Sequence, residues 1–158
     1  MPTVLITGDR EWSAAHVIAR AFDQMSIRGP AYTIVHGACH TPVNADKLAA
    51  REAHKRGCVV RGYPAKWGVY GRGAGPVRNA YMLQLHPEIE IVLAFHDDLF
   101  GRSRGTRDMV ERALAKGLYC WQFLSFGGVL AIPPSGPTES YNEALQNLRN
   151  LAANTPRG

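Results

Sequence analysis

The sequence predicts an α/β fold: an open, Rossmann-like parallel sheet of about five strands, with helices on both faces and a further helix at the C-terminus. Five short, apolar, β-rich segments alternate with four helical segments, and the connections are short except where glycine accumulates. This alternation is typical of parallel strands joined by right-handed crossovers. Ligands of such sheets bind at the carboxyl ends of the strands, near the point where the strand order reverses.

The first two units each consist of a strand, a loop and a helix. Ser13 is expected to cap the first helix, which runs to about residue 27. Asn44 is expected to cap the second helix, and Gly57 to end it. The two strands are residues 3–7 and 32–36.

The next two units follow the same order and lead to a fifth strand. A long glycine-rich loop, residues 64–75, precedes a helix that begins near Pro76, since proline suits a first turn, and ends before Pro87. The fourth strand is nearly all apolar, as expected of a parallel strand covered on both faces, and the helix after it spans residues 106–116. The third, fourth and fifth strands are residues 58–63, 91–95 and 118–123.

After the fifth strand the composition changes. Residues 127–137 are rich in glycine and proline and predict a connector, and residues 138–152 predict an amphipathic helix. We therefore divide the chain into a Rossmann-type domain, residues 1–126, and a linker with a helix, residues 127–158. The apolar stripe of this helix is expected to pack on its own sheet or on a second copy of the chain, and a homodimer is the expected assembly.

Length and composition predict one folded domain in the cytoplasm. The chain has 158 residues, 46% hydrophobic and 20% charged, which are ordinary values for a globular domain. No apolar run reaches the ~18 residues that a membrane-spanning helix needs, and the N-terminus reaches a charge too soon for a secretory signal. No membrane partner is expected. The three cysteines have no CxxC spacing, which argues against a disulfide framework.

The formal net charge of +5 favours an anionic partner. Arginines recur beside glycines instead of forming one block, which indicates local anion sites more than a continuous nucleic-acid track. These arginines are Arg10, Arg72, Arg78, Arg102, Arg104 and Arg107.

The loop after the first strand carries Gly8, Asp9 and Arg10, whose backbone amides and guanidinium can meet a phosphate beside the next helix. Trp12 lies two residues after Arg10. Its indole either stacks on a nucleobase or covers the core.

The loop after the second strand places Gly37 and Asp46 at the same edge of the sheet, and a role on a ribose or phosphate is expected, with Asp46 on a hydroxyl. His36, Cys39 and His40 lie nearby, but their spacing matches no structural zinc pattern. We predict neither a metal nor a cofactor.

The third loop mixes aromatic rings, glycines and cations to a degree that a purely structural connection does not need. Trp67 and Tyr70 offer stacking surfaces, Gly75 allows close approach, and Arg78 with Asn79 falls in the first turn of a helix, where a guanidinium can hold a phosphate.

The fourth loop ends in Gly105 and Thr106 as the next helix begins. A glycine that lets backbone amides approach a ligand, with a hydroxyl expected at the N-cap, forms either a phosphate cradle or an ordinary helix cap.

Four motifs at these strand ends together resemble the YspA-like branch of the SLOG superfamily. They are GDREW at residues 8–12, VHGA at residues 35–38 with NADKLA at residues 44–49, WGVYGRGAGPVRNAYM at residues 67–82, and AFHDDLFGRSRGTRDMV at residues 94–110. The similarity covers about residues 3–123. It implies a Rossmann-like fold and a pocket for a nucleotide-derived ligand, formed by Gly8, Arg10, Gly37, Asp46, Trp67, Gly75, Arg78, Asn79, Gly105 and Thr106.

The relatives implied by this resemblance include the LOG phosphoribohydrolases, which release a base from a nucleoside monophosphate, and the DNA-processing protein A family. The LOG motif PGGxGTxxE is matched here only by Gly105 and Thr106, and Met109 stands at the position of its glutamate. In an enzyme, Asp108 or Glu111 would have to replace that carboxylate, with Arg78 holding the phosphate.

Three functions remain open from the sequence. The favoured one is a binding module that senses or sequesters a phosphorylated nucleotide or a nucleotide derivative. The first alternative is an N-glycosidase acting on nucleoside monophosphates or NAD-type ligands, which needs a carboxylate such as Asp46, Asp108 or Glu111 beside the sugar. The second is a protein that binds single-stranded nucleic acid through its basic and aromatic residues.

Overall fold

One sheet of six strands organises the computed structural model, which describes residues 2–155. The order across the sheet is β3-β2-β1-β4-β5-β6; the first five strands are parallel, and β6 pairs antiparallel with β5. The predicted open α/β sheet is therefore confirmed, with one strand more than expected. The strands are β1 Thr3–Gly8, β2 Thr33–His36, β3 Val59–Gly62, β4 Ile89–Phe95, β5 Tyr119–Phe123 and β6 Val129–Ile132.

The helices cover both faces of the sheet. The first two pack with one hydrophobic cluster, and the last three long helices pack with a second cluster on the opposite face. The helices are α1 Ala15–Gln24, α2 Ala45–Lys55, α3 Trp67–Tyr70, α4 Ala74–Leu85, α5 Gly105–Ala115 and α6 Glu139–Asn154. Within the described range, no helix has the length and apolar content that crossing a membrane requires.

Most of the predicted helix ends are present. Asn44 caps α2, since its Oδ1 accepts a hydrogen bond from the Lys47 amide at 2.8 Å, and Gly57 follows α2 with a φ of +74°. Ser13 does not cap α1. That helix begins at Ala15, and its N-cap residue, Ala14, has no side-chain acceptor to offer.

Two segments are more regular than the sequence predicted. The predicted loop of residues 64–75 contains α3 and a 3-10 turn, Gly71–Gly73. The predicted connector of residues 127–137 contains β6, because its apolar residues alternate between the two faces of the sheet and Leu130 and Ile132 are buried. The turn before β6 is made by Gly127 and Gly128, whose φ angles of +95° and +113° suit glycine.

The strand order reverses between β1 and β4, where β2 follows on one side and β5 on the other. Gly8 ends β1 at this point, and its backbone packs closely against α2 and β4. A Cβ atom on Gly8 would overlap the Ala45 side chain and lie 2.8 Å from the Phe95 carbonyl oxygen. Glycine is therefore required here by close packing.

The apolar stripe of α6 packs on the chain's own sheet. Leu145 and Leu148 contact the cluster under β5 and β6, and the buried Tyr141 hydroxyl donates a hydrogen bond to Gln122 Oε1. Burial raises the pKa of Tyr141 to about 12, so this hydroxyl stays protonated. A homodimer remains a prediction. Leu145 and Leu148 of the predicted contact stripe already pack on the chain's own sheet, whereas Leu151 is 66% exposed. The last three residues of the predicted 127–158 segment lie outside the described residues.

We expect Gly8→Ala to lower the free energy of unfolding by about 1–3 kcal/mol, because the added methyl group cannot be accommodated without backbone movement. Thermal and urea denaturation measure this effect. The control is Gly68→Ala in α3, where a Cβ atom meets nothing within 4 Å and no loss is expected. Equal losses in the two variants would contradict the close packing at Gly8.

We expect Tyr141→Phe to lower the free energy of unfolding by about 1–3 kcal/mol, because Gln122 Oε1 loses its donor in a buried position. Urea denaturation followed by circular dichroism measures the change. Tyr119, whose side chain is 54% exposed, provides the control, and its replacement by phenylalanine should change stability by less than about 0.5 kcal/mol. An unchanged Tyr141→Phe protein would show that α6 is not anchored by this bond.

Candidate functional site

A cleft of about 940 Å³ lies at the carboxyl ends of the parallel strands, over the point where the strand order reverses. Most of the predicted ligand-binding residues line it. They are Gly8, Asp9, Arg10, Gly37, Asp46, Trp67, Gly75, Arg78, Asn79, Gly105 and Thr106. Residues from four separate loops therefore share one cavity.

Arg78 crosses the cleft from α4 to the ends of β2 and β3. Its Nη1 donates to the Gly37 carbonyl oxygen and, at 3.2 Å, to the Tyr63 carbonyl oxygen. Gly37 has to be glycine for this contact, since a Cβ atom there would lie 2.6 Å from the Arg78 Cζ. Burial lowers the pKa of Arg78 from its ordinary value, and Asp46 opposes this change. The guanidinium keeps its charge because its ordinary pKa is far above neutrality.

Asn79 connects this arginine to α5. Its Oδ1 accepts a hydrogen bond from Arg78 Nε at 2.9 Å, and its Nδ2 donates to the Gly105 carbonyl oxygen at 3.2 Å. The same Nδ2 donates to Asp108 Oδ2 at 3.0 Å. Because α4 begins at Ala74, Arg78 and Asn79 lie in its second turn and not in the predicted first turn. Asn79 thus holds the first turn of α5 against the second turn of α4.

The start of α5 brings backbone donors to the cleft. The first amides of a helix have no intrahelical acceptor, and both Gly105 and Thr106 line the cavity. Thr106 is not the N-cap residue as expected, because the helix already begins at Gly105 and Arg104 precedes it. The N-cap residue, Arg104, makes no side-chain capping bond. One residue earlier, Ser103 Oγ accepts a hydrogen bond from the Arg107 amide at 3.0 Å.

Asp46 organises the loop after β2. Its Oδ2 accepts a hydrogen bond from the Cys39 amide at 3.1 Å. Burial raises the pKa of the Asp46 carboxyl, while His36 and the backbone amides oppose the rise. Burial also lowers the pKa of His36, whose Nδ1 accepts from the Ala38 amide at 2.9 Å. Both side chains therefore support the loop backbone that forms one wall of the cleft.

His96 lies at the end of β4, on the opposite side of the switch point from β1. Its Nδ1 accepts from the Asp98 amide at 2.9 Å, and its Nε2 lies 3.8 Å from Asp9 Oδ2. Burial lowers the pKa of His96, and Asp9 opposes this change. The imidazole lines the cleft beside Asp9.

The walls of the cleft carry more positive than negative side chains. The arginines lining it are five, Arg10, Arg72, Arg78, Arg102 and Arg104, and the carboxylates are three, Asp9, Glu11 and Asp46. The Arg10 guanidinium also stacks over the Trp67 ring, with its Cζ 5.3 Å from the ring centroid. The cavity is thus suited to an anion with a planar group beside it.

Four predicted site residues do not line the cleft. Trp12 is 4% exposed and packs edge-on against Phe95, so it covers the core, as the alternative interpretation had it. Tyr70 is half exposed on α3, away from the cavity lining.

The two carboxylates proposed as replacements for the LOG glutamate are also outside. Asp108 Oδ2 accepts from Asn79 Nδ2 and from Arg112 Nε, the latter at 2.9 Å, and Glu111 pairs with Arg107 at 2.8 Å. Met109, at the position of that glutamate, is buried and lines the cleft. A helix turns each successive side chain by 100°, and this rotation directs Met109 toward the cleft and the carboxylates of Asp108 and Glu111 away from it.

Several lining residues were absent from the predicted set. Glu11, His40, Arg72, His96, Arg102 and Arg104 belong to them. Their glycine-flanked loop positions were a signal for Arg72, Arg102 and Arg104, but the sequence carries no sign of which loop side chains face inward. Among residues 2–155, no group of three or more His, Cys, Asp or Glu side chains is placed to hold a metal ion.

Comparison with known protein families agrees with the predicted resemblance. Residues 2–70 match YAcAr, the YspA, cpYpsA-related SLOG family. This range runs from β1 to the end of α3 and includes the loops of Gly8 and Gly37, whereas the similarity predicted for residues 71–123 lies beyond it. Comparison with curated proteins and with solved structures gives no significant match. Over residues 2–70, the chain is therefore similar to the YspA, cpYpsA-related SLOG family.

Proposed function

We propose that the cleft binds a phosphorylated nucleotide or nucleotide derivative, and that the protein senses or sequesters this ligand. One observation carries the proposal: Arg10, Arg78 and Thr106, which come from three separate loops, line the same cavity. The similarity of residues 2–70 to the SLOG family supports a nucleotide-related ligand in general terms. The identity of the base and the number of phosphates are left to experiment.

The phosphate is expected between Arg78 and the start of α5. Asn79 holds these two groups side by side, and together they offer a guanidinium and the first backbone amides of a helix. The Trp67 ring, 37% exposed at the cavity, supplies a flat apolar surface for a base. Arg10 would then move from that ring or remain stacked on its far side.

Binding is favoured over hydrolysis because no free carboxylate replaces the LOG glutamate. Asp108 and Glu111 are in ion pairs outside the cleft, and Met109 occupies the position inside it. An N-glycosidase would have to use one of the carboxylates that line the cleft, Asp9, Glu11 or Asp46. The carboxylates of Asp9 and Asp46 already accept backbone hydrogen bonds, from the Glu11 and Cys39 amides respectively. A small ligand is favoured over single-stranded nucleic acid because the arginines gather in one concave site.

A panel of AMP, GMP, ADP, NAD⁺ and a short single-stranded oligonucleotide tests this proposal. At least one small ligand should raise the melting temperature, and no free base should be released during overnight incubation, as measured by chromatography. Release of base would favour the N-glycosidase, and binding of the oligonucleotide alone would favour the nucleic-acid alternative. Mass spectrometry of small molecules that copurify with the native protein identifies the ligand independently.

Arg78→Lys should weaken AMP binding about tenfold. The guanidinium can donate to a phosphate while its Nε and Nη1 hold Asn79 and the two carbonyl oxygens, which the single nitrogen of an ammonium group cannot do. Isothermal titration calorimetry measures the affinity. The melting temperature of the variant shows whether loss of the hydrogen bonds to the Gly37 and Tyr63 carbonyl oxygens lowers stability. The matched control is Arg51→Lys on the exposed side of α2, outside the cleft, which should leave affinity unchanged. An unchanged affinity in Arg78→Lys would contradict the assignment of the phosphate to this position.

A further inference from the structure

We propose that the C-terminal helix α6 fixes the loop between β4 and α5, and thereby sets the affinity of the cleft for its ligand. This inference rests on the proposed function. The loop supplies Arg102, Ser103 and Arg104 to the cavity. The residues that hold the loop, Arg149 and Asp97, do not line the cavity, and they act as positioning residues.

Arg149 is the contact from α6. Its Nη2 donates a hydrogen bond to the Asp97 carbonyl oxygen at 3.0 Å and lies 3.6 Å from Asp98 Oδ1. The other carboxylate oxygen of Asp98 lies 3.3 Å from Arg102 Nε. A continuous series of contacts thus runs from α6, through Asp98, to an arginine that lines the cleft.

Asp97 fixes the same loop to the turn between β5 and β6. Its carboxylate accepts hydrogen bonds from the Ser125 amide, at 2.6 Å, and from the Ser125 hydroxyl. One residue earlier, the His96 carbonyl oxygen accepts from Gln122 Nε2 at 2.8 Å, and Gln122 in turn accepts from the Tyr141 hydroxyl of α6. The beginning of the loop is therefore held by three side chains from the C-terminal third of the chain.

This support matters because the cleft arginines of the loop are themselves exposed. The Arg102 side chain is 78% exposed, and Arg104 is exposed as well. Exposed side chains contribute to affinity only when the backbone that carries them is already ordered, since otherwise the ligand has to order it on binding. The external contacts supply this order in advance.

Two substitutions that change the charge in opposite directions test the inference. Arg149→Ala removes a positive charge and Asp97→Ala removes a negative one, yet both release the loop. We expect AMP affinity, measured by calorimetry, to fall roughly three- to tenfold in both variants. Amide hydrogen exchange of residues 97–104 should become faster in both, without ligand. Asp97→Asn replaces Asp97→Ala if circular dichroism shows that the latter is unfolded.

Asn150→Ala is the control on the same helix. It removes only the hydrogen bond from Gln146, and both affinity and exchange should stay at the wild-type values. Affinity that falls in Arg149→Ala but rises in Asp97→Ala would indicate long-range charge instead of positioning and would overturn the inference. Unchanged exchange of residues 97–104 in Arg149→Ala would overturn it as well, because Arg149 is the contact from α6.

Failure of the proposed function gives a different result from failure of this inference. If the wild-type protein binds none of AMP, GMP, ADP and NAD⁺, the proposed function and the effect on affinity fall together. Hydrogen exchange does not depend on a ligand, and faster exchange in both variants would still support the control of the loop by α6.

Discussion

The cleft depends on the hydrogen bonds of two neighbouring side chains, Arg78 and Asn79. The parallel strands end at one edge of the sheet. The loops that follow them are not joined by the backbone hydrogen bonds that connect neighbouring strands. Arg78 joins the ends of β2 and β3 through two carbonyl oxygens, and Asn79 joins α4 to the start of α5. Three strand-end loops therefore keep fixed relative positions, and the arginines and helix amides face one cavity.

Close packing at two glycines makes this arrangement possible. Gly8 lets β1 end against α2 and β4, and Gly37 lets the Arg78 guanidinium lie against the end of β2. The consequence is electrostatic as well as steric, because guanidinium groups are held near backbone dipoles in a partly enclosed space, where their interaction with an anion is screened less than in water. The fold thus gathers positively charged side chains around one cavity.

In α5, a methionine and not a carboxylate side chain faces the cavity. Rotation along α5 places Met109 inward and directs Asp108 to Asn79 and Arg112. The carboxylate of Asp108 consequently stabilises the contact between two helices and is not free for a sugar. At this position the chain differs from the LOG motif, which places a glutamate where Met109 stands.

The sequence by itself determined the alternation of strands and helices, the Asn44 cap and the loops that meet at the cleft, because apolar periodicity and cap chemistry are local. Only the tertiary structure decided the rest. The edge strand β6 forms because β5 and α6 cover its apolar face, and α3 forms within a glycine-rich segment. Trp12 enters the core and Asp108 turns away from the cleft because side-chain direction depends on packing between distant elements, which no local pattern encodes.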